Sequence, residues 1–487
     1  MGWPDLRNCR WGSVAFRHRL GRNADPRLRR RWIDSGGLGM DGSDGLPELG
    51  AVFWPVGTGD STTLVVDDEV VVQVDLHDMA KAQEDTNAEM AVVDRLVDAL
   101  PVQDGAPYLA VFVLTHADKD HCLGFADLLD RVRIGELWST PRLWREYADP
   151  DAPELCADAI AFREESERRI RATLAAVEAG GQPDSGDRIR VVGHDADQST
   201  YVYDGLPAEY LTGPGKALSV LDGRDCADRF TAFIHAPFKA DAAAERNETS
   251  LSMQVTLTST DTESGLSGPD GKLLLFGDLA HDTIMKIMDY SEYHDREHYL
   301  EWDVLLAPHH CSKRVMYAKN ADGDEVVQFD VLEAFERHAR TDATVVCSSA
   351  TIPATDVAGA NPPHRKAYDR YRDLAITGDV ICTMSWLDES MPSPIVFGVD
   401  ATGARIVRPD VVMAAPREAK IELAAAAPGH RLAAVTAAAV GVARALPTPE
   451  VTNSDVGSDE TGLDRVQAAV AADRGGDAPD NPVGFGR

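Results

Sequence analysis

The stretch Leu109–Phe125, LAVFVLTHADKDHCLGF, constrains this chain more than any other. The apolar run from Leu109 to Leu114 fits a strand buried on both faces. It stops at Thr115, after which six residues supply His116, Asp118, Asp120 and His121. Imidazole and carboxylate are the ligands that borderline and hard divalent ions accept, and a loop at a strand end lets a rigid sheet hold them while the ion stays open to substrate. An acidic, solvated turn with two incidental histidines would use the same residues. Three later segments weigh against that reading: LLLFGD ends in Asp278, DVLLAPHHCS delivers His309, His310 and Ser312, and NPPHRKAY places His364 after the strand-like run ATVVCSS. Each is weak alone. Apolar strand ends that carry ligand-type residues one after another are a specific pattern.

These segments resemble the metallo-β-lactamase superfamily. HADKDH is similar to the His-x-Asp-x-Asp-His variant of its signature, and the best match is the hydrolase domain of ComEC-type competence proteins and their free-standing relatives. The resemblance reaches upstream to VGTGDSTTLVVDDEVVVQVD, with Gly57, Gly59, Asp60 and Ser61 in a turn and Asp75 closing a hairpin. Downstream it runs through Asn247 and Ser250 to Asp278 and the Pro-His-His-x-Ser around His310, covering Val52 to Cys382.

The resemblance implies a four-layer αββα sandwich of mixed α and β structure. It implies one or two divalent ions, Zn²⁺ or Mn²⁺, with His116 and Asp118 on one side, Asp120, His121 and His310 on the other, and Asp278 bridging. Asp120 would orient the attacking water, and His364 would bind a substrate oxygen or protonate the leaving group. His309, Ser312, Asp60, Asp75 and Asn247 would support the ligands or the substrate, with one histidine of the His-His pair, His310, as ligand. Asp118 stands where the signature usually has a second histidine, which makes that side richer in oxygen and more welcoming to Mn²⁺ or Mg²⁺. Cys311 replaces the family's glycine, and Leu76–His77 replaces the Thr-Gly expected after Asp75. His194 and His235 are the candidates for the family's remaining histidine.

The chain carries a formal charge of −32, which opposes non-specific binding to nucleic acid over most of its surface. Arg131, Arg133, Arg142 and Arg145 follow the ligand loop and could supply a local basic track. Seven cysteines without a Cys-x-x-Cys pattern read as reduced thiols in a cytoplasmic protein, with Cys122 and Cys311 as small buried side chains. No apolar run is long enough to span a membrane, so the membrane channel of competence proteins is not expected.

Residues 1–48 read as an arginine-rich disordered extension, or as a start placed ahead of Met40. Residues 49–402 form the expected hydrolase domain, with a charged helical insertion over 141–186 that would serve as lid, substrate wall or surface decoration. Helices are expected over Glu89–Leu100 and Phe125–Val132, and an irregular loop over Gly205–Asn247. Residues 403–487 turn to Ala, Pro and acidic composition and read as a largely disordered tail with one helix over Leu432–Leu446. The functional expectation is a phosphodiesterase or nuclease. The alternatives are hydrolysis of an ester or amide by the same chemistry, or a sensor or interaction subunit of a bacterial conflict system that engages a protein partner through its tails.

Overall fold

A computed structural model describes residues 46–84, 87–148, 154–193, 202–238, 246–260 and 267–407. The expected arginine-rich extension, His194 and almost all of the acidic tail lie outside the described residues. The described chain is mixed α and β, built on two large mixed sheets. The first sheet has ten strands, ordered from one edge as Gly403–Val407, Ile395–Asp400, Gly50–Phe53, Thr62–Val65, Val71–Val74, Ala106–Val113, Arg133–Ser139, Arg188–Val192 and Leu211–Thr212, with the short Val102–Gln103 paired to Ala106–Val113. Pairing is antiparallel up to Val71–Val74 and parallel from there to Leu211–Thr212. The antiparallel register is set by chemistry in the turn: Asp67 Oδ1 accepts from the backbone N–H of Glu69 (2.9 Å) and Val70 (2.8 Å), an Asx-type turn that brings Val65 opposite Val71.

The second sheet has seven strands, ordered Val380–Cys382, Ala339–Cys347, Trp302–Leu306, Ser267–Leu275, Ser252–Thr260, Phe230–Ala236 and Lys216–Leu218. Its parallel strands end in apolar runs, residues 273–275, 304–306 and 345–347, where both faces are covered. Leu273 and Leu275 share one buried cluster with Val111, Val113, Val304 and Leu306 from both sheets. The intervening Leu274 and Leu305 face the other way, onto the helices His281–Tyr293 and Phe329–His338 through Ile284, Ile287, Leu332 and Phe335. Likewise Phe112 and Leu114 meet the helices Val92–Ala99, Phe125–Arg131 and Ala157–Glu178. Each fully buried large side chain contributes roughly 2 to 3 kcal/mol. None of the described helices is long and apolar enough to cross a membrane.

Four expectations change. The segment read as an insertion holds the 22-residue helix Ala157–Glu178, which covers the first sheet rather than decorating it. Its charged composition hides Ala159, Phe162, Ser166, Ile170 and Thr173, which are buried, and Arg169 is buried because its guanidinium donates to the carbonyls of Ile134 (2.9 Å) and Gly135 (3.1 Å). Gly205–Asn247 is not a loop throughout: it includes the strands Lys216–Leu218 and Phe230–Ala236. The first sheet continues past residue 402, since Gly403–Val407 forms a hairpin with Ile395–Asp400. The helix expected to begin at Glu89 begins at Val92.

The consequence for function lies at one rim. Asp75 follows the strand Val71–Val74, Thr115 to His121 follow Ala106–Val113, Asp278 follows Ser267–Leu275, His309 and His310 follow Trp302–Leu306, and Ser348 follows Ala339–Cys347. Parallel pairing puts the C-terminal ends of these strands side by side in each sheet, where open α/β sheets gather their sites.

Candidate metal centre

Three histidines have their outer nitrogens committed to protein acceptors. His121 Nδ1 lies 2.7 Å from Asp75 Oδ2, and His310 Nδ1 lies 3.1 Å from the carbonyl of Ser348. For His116 the assignment follows from its neighbours. The Thr115 hydroxyl donates to Asp75 Oδ2 (2.6 Å) and the Ser250 hydroxyl donates to the carbonyl of Asn247 (2.7 Å), so both present only acceptor oxygen to His116 Nδ1, at 3.1 and 3.3 Å. Each Nδ1 therefore acts as a donor and each ring turns Nε2 inward, the edge that holds a metal once it is free of a proton.

The three Nε2 atoms converge on Asp278. Its Oδ1 stands 3.3 Å from His121 Nε2 and 3.3 Å from His310 Nε2, while its Oδ2 stands 3.8 Å from His116 Nε2, 3.7 Å from His309 Nε2 and 3.3 Å from Asn247 Nδ2. Asp118 Oδ2 is 3.5 Å from His116 Nε2, and Asp120 Oδ2 is 3.4 Å from His310 Nε2. The two oxygens of one carboxylate thus divide the ligand-type residues into two groups. His116, Asp118 and His309 stand on one side, and Asp120, His121 and His310 on the other. Asp60, whose Oδ1 is 3.4 Å from His310 Nδ1, joins His121, Asp278 and His310 in a buried group whose ligand atoms lie within 4.8 Å of one another and could hold a metal ion.

The site fits a cation. His116 Nε2 and Asp278 Oδ1 are buried without any hydrogen-bond partner, a costly arrangement for apposed acceptors that a positive ion removes. Burial opposes ionisation of Asp278, but the imidazoles of His310 and His121 outweigh it and hold the carboxyl well below the usual range. Burial likewise opposes charge on His121 and His310; the carboxylate of Asp278, helped by Asp75 for His121 and by Asp60 for His310, raises both. Their Nε2 atoms are 3.1 Å apart, so without an ion the pair shares one proton between them. Asp118 is buried in part, which raises its pKa, but His116 and Arg246 bring it down to about 2. The side chains of Asp118 and Asp120 are 30% and 36% exposed while those of His116 and His121 are sealed, so the centre opens to solvent on the side of these two carboxylates.

Backbone conformation places the His-His pair. His309, His310 and Cys311 have φ of 51°, 54° and 65°, a left-handed run that residues with a Cβ adopt at a cost of about 1 kcal/mol or more each. It is held by His309 N–H donating to the carbonyl of Gly277 (2.9 Å) and His364 N–H donating to that of Cys311 (3.1 Å). His309, expected beside His310 in a supporting place, has its Nε2 3.7 Å from the Oδ2 of Asp278, the oxygen opposite the one that faces His310.

Other expected residues are placed differently. Asp75 hydrogen-bonds His121 and Asn247 hydrogen-bonds Asp278. Ser312 Oγ accepts from Arg314 N–H (3.3 Å) and caps the turn Lys313–Val315, a structural task. His364 Nδ1 accepts from Lys313 N–H (3.3 Å), its charged neighbours are Asp356, Lys313 and Glu325, and it lines a cavity of about 220 Å³ with Asp356 and Asn361; the structure does not bring it to Asp278. His235 is corrected outright. Its Nε2 donates to the carbonyl of Tyr299 (2.9 Å) and its ring meets Phe233 edge-on, away from the centre. Arg131 pairs with Asp94 and Asp127, and Arg133 with Asp104, so these two arginines do not form a basic track.

Full burial lowers the His235 pKa to about 4. The unfolded chain takes up this proton below about 6.5 and the folded chain only below about 4, so stability falls as pH drops through that window. Between pH 7 and pH 5 the loss from this residue is about 2 kcal/mol. His235→Gln keeps the donor and lacks the titration, so its urea midpoint should fall less steeply over that range than that of the wild type; parallel curves would contradict the assignment.

Sequence reasoning missed Arg246, Thr115, Ser348 and His77. The last had a signal, a histidine two residues after Asp75. It is buried, its Nδ1 has no partner, and burial lowers its pKa to about 4 against the pull of the nearby Asp120 carboxylate. His77 also explains Gly59, whose φ is 154°: a Cβ there would stand 2.4 Å from His77 Nδ1 and 2.7 Å from the carbonyl oxygen of Asp120. Gly59→Ala is expected to cost about 2 to 3 kcal/mol and to displace the ligand turn. Thermal unfolding checks the first effect and ion affinity the second, and an alanine variant matching wild type in both would show that the turn gives way freely.

Comparison with models of known protein families and with curated proteins finds no match to this chain.

Proposed function

We propose that this chain is a metal-dependent hydrolase of the metallo-β-lactamase fold, similar to the ComEC-type hydrolase domain, and that it cleaves phosphodiesters. In this reading the two sheets and their covering helices are the αββα layers of that fold. The observation that carries the proposal is the division of the ligand residues by the two oxygens of Asp278, in the chain order that the family resemblance implies. Imidazoles and a further carboxylate on each side of Asp278 suit Zn²⁺ or Mn²⁺. When bound, such an ion supplies water activation near neutral pH and neutralises charge developing on the substrate. The chain's own residues do the rest. Asp75, Ser348 and the Thr115 and Ser250 hydroxyls hold the imidazoles in one tautomer, and Arg246 fixes Asp118. The half-exposed Asp120 accepts a hydrogen bond from the attacking water. The acidic surface and the engaged Arg131 and Arg133 favour a small phosphodiester over a long nucleic acid.

The test is hydrolysis of bis-p-nitrophenyl phosphate by the full-length protein with Mn²⁺ or Zn²⁺, beside p-nitrophenyl acetate. Turnover of the diester that is lost in Asp120→Ala with His121→Ala supports the proposal. Ion binding with cleavage of the acetate alone would move the substrate class to esters, and ion binding with no turnover would favour an interaction subunit.

A further inference from the structure

Cys122 ends the turn Lys119–Cys122 that bears Asp120 and His121, and Cys156 stands at the N-cap of the helix Ala157–Glu178. Their sulfur atoms are 3.4 Å apart. The contact is not a loose surface encounter. Ala126 N–H donates to Asp158 Oδ1 (3.0 Å), and Phe162 meets Phe125 edge-on at 5.0 Å, so the start of the helix is fixed against the segment that follows the ligand turn. Among the described cysteines Cys156 is the one that is not buried, while Cys122 is fully buried. A reagent from solvent therefore meets Cys156 first, with Cys122 behind it.

We propose that Cys122 and Cys156 form a reversible disulfide when the protein meets a hydroperoxide, clamping the ligand turn to the helix that covers the first sheet. The Cys156 thiolate attacks a peroxide oxygen, and the O–O bond breaks with its electron pair leaving on the second oxygen, which takes up a proton. The sulfur is oxidised to a sulfenic acid and the hydroperoxide reduced to an alcohol, or to water for hydrogen peroxide. The Cys122 sulfur then attacks the Cys156 sulfur; the S–S bond forms, the S–O bond breaks, and hydroxide leaves with the proton from Cys122 as water. A dithiol reverses the change. The first step is favoured at Cys156. A hydrogen bond from the Cys122 thiol, joined by the backbone N–H groups of Ala159 and Asp158, outweighs burial and brings its thiol to about 6.

Bonding requires the sulfurs to close to about 2.05 Å, a shift of about 1.4 Å. The Cys122 sulfur also stands 3.2 Å from the carbonyl oxygen of Asp118, so its oxidation acts on the ligand turn from behind. Cys311 and Cys347 also interact, but they are buried, as are Cys226 and Cys382, so among the described cysteines no other pair has a member that meets solvent.

The full-length protein, treated with hydrogen peroxide, alkylated and digested, should yield by mass spectrometry a Cys122–Cys156 cross-linked peptide, two hydrogens lighter than its reduced components and released by dithiothreitol. Cys156→Ser should abolish it, and Cys122→Ala should leave a sulfenic acid on Cys156 that a dimedone probe traps. The wild-type readout needs no variant to fold, and it does not depend on the chain being a hydrolase. Peroxide that leaves both thiols free, over-oxidises Cys156 without a cross-link, or links either cysteine to a different partner would overturn the proposal.

Discussion

Asp278→Asn is expected to keep the fold and to lose ion binding by about 10²-fold or more, with diester turnover falling by about 10³-fold. Asparagine has nearly the shape of the carboxylate, but it removes the one negative charge that both histidine groups face, at 3.3 Å on one side and 3.7 to 3.8 Å on the other. Asp278→Ala should do the same and also destabilise the ion-free protein by about 3 kcal/mol, because the proton shared by His121 and His310 is then buried without its principal counter-charge. Comparing the two variants by calorimetric ion titration and by urea unfolding separates the role in binding from the role in folding. An asparagine variant that binds ions as tightly as wild type would place the centre elsewhere.

Ion affinity should rise with pH, by about tenfold per unit, and should keep rising above pH 7. The sign follows from the shared proton. Asp278, with Asp75 and Asp60, raises the pKa of the His121–His310 pair above the ordinary histidine value, so near neutral pH an incoming ion must displace that proton. Histidines of ordinary pKa would give a curve that flattens above about 6.5. Titration in two buffers of different ionisation enthalpy counts the released proton directly: about one at pH 7 is expected, and none would mean that the rings are already free.

Much of this centre was legible because strand ends announce themselves. Apolar runs that stop abruptly at His116, Asp278 and His309 give both the strand and the polar residues at its end, although the two groups around Asp278 interleave along the chain. What was not legible depends on contacts far apart in sequence or on backbone strain. Nothing local predicts that His309, His310 and Cys311 all adopt left-handed conformations; these are imposed by hydrogen bonds to Gly277 and His364. The tautomer of His310 is set by a carbonyl 38 residues away, at Ser348. The helix Ala157–Glu178 looked like a surface insertion because its arginines and glutamates outnumber the small and aromatic residues on its buried face. His235 shows the converse error, since histidine near a strand end serves packing as readily as it serves a metal.

The most direct test is the ion content of the folded full-length protein after equilibrium dialysis against Zn²⁺ or Mn²⁺, measured by inductively coupled plasma mass spectrometry. The double variant His121→Ala, His310→Ala is measured alongside. At least one ion per wild-type chain, with none at that position in the variant, is the predicted result. A folded wild-type protein that retains no ion would contradict the metal centre and with it the proposed chemistry.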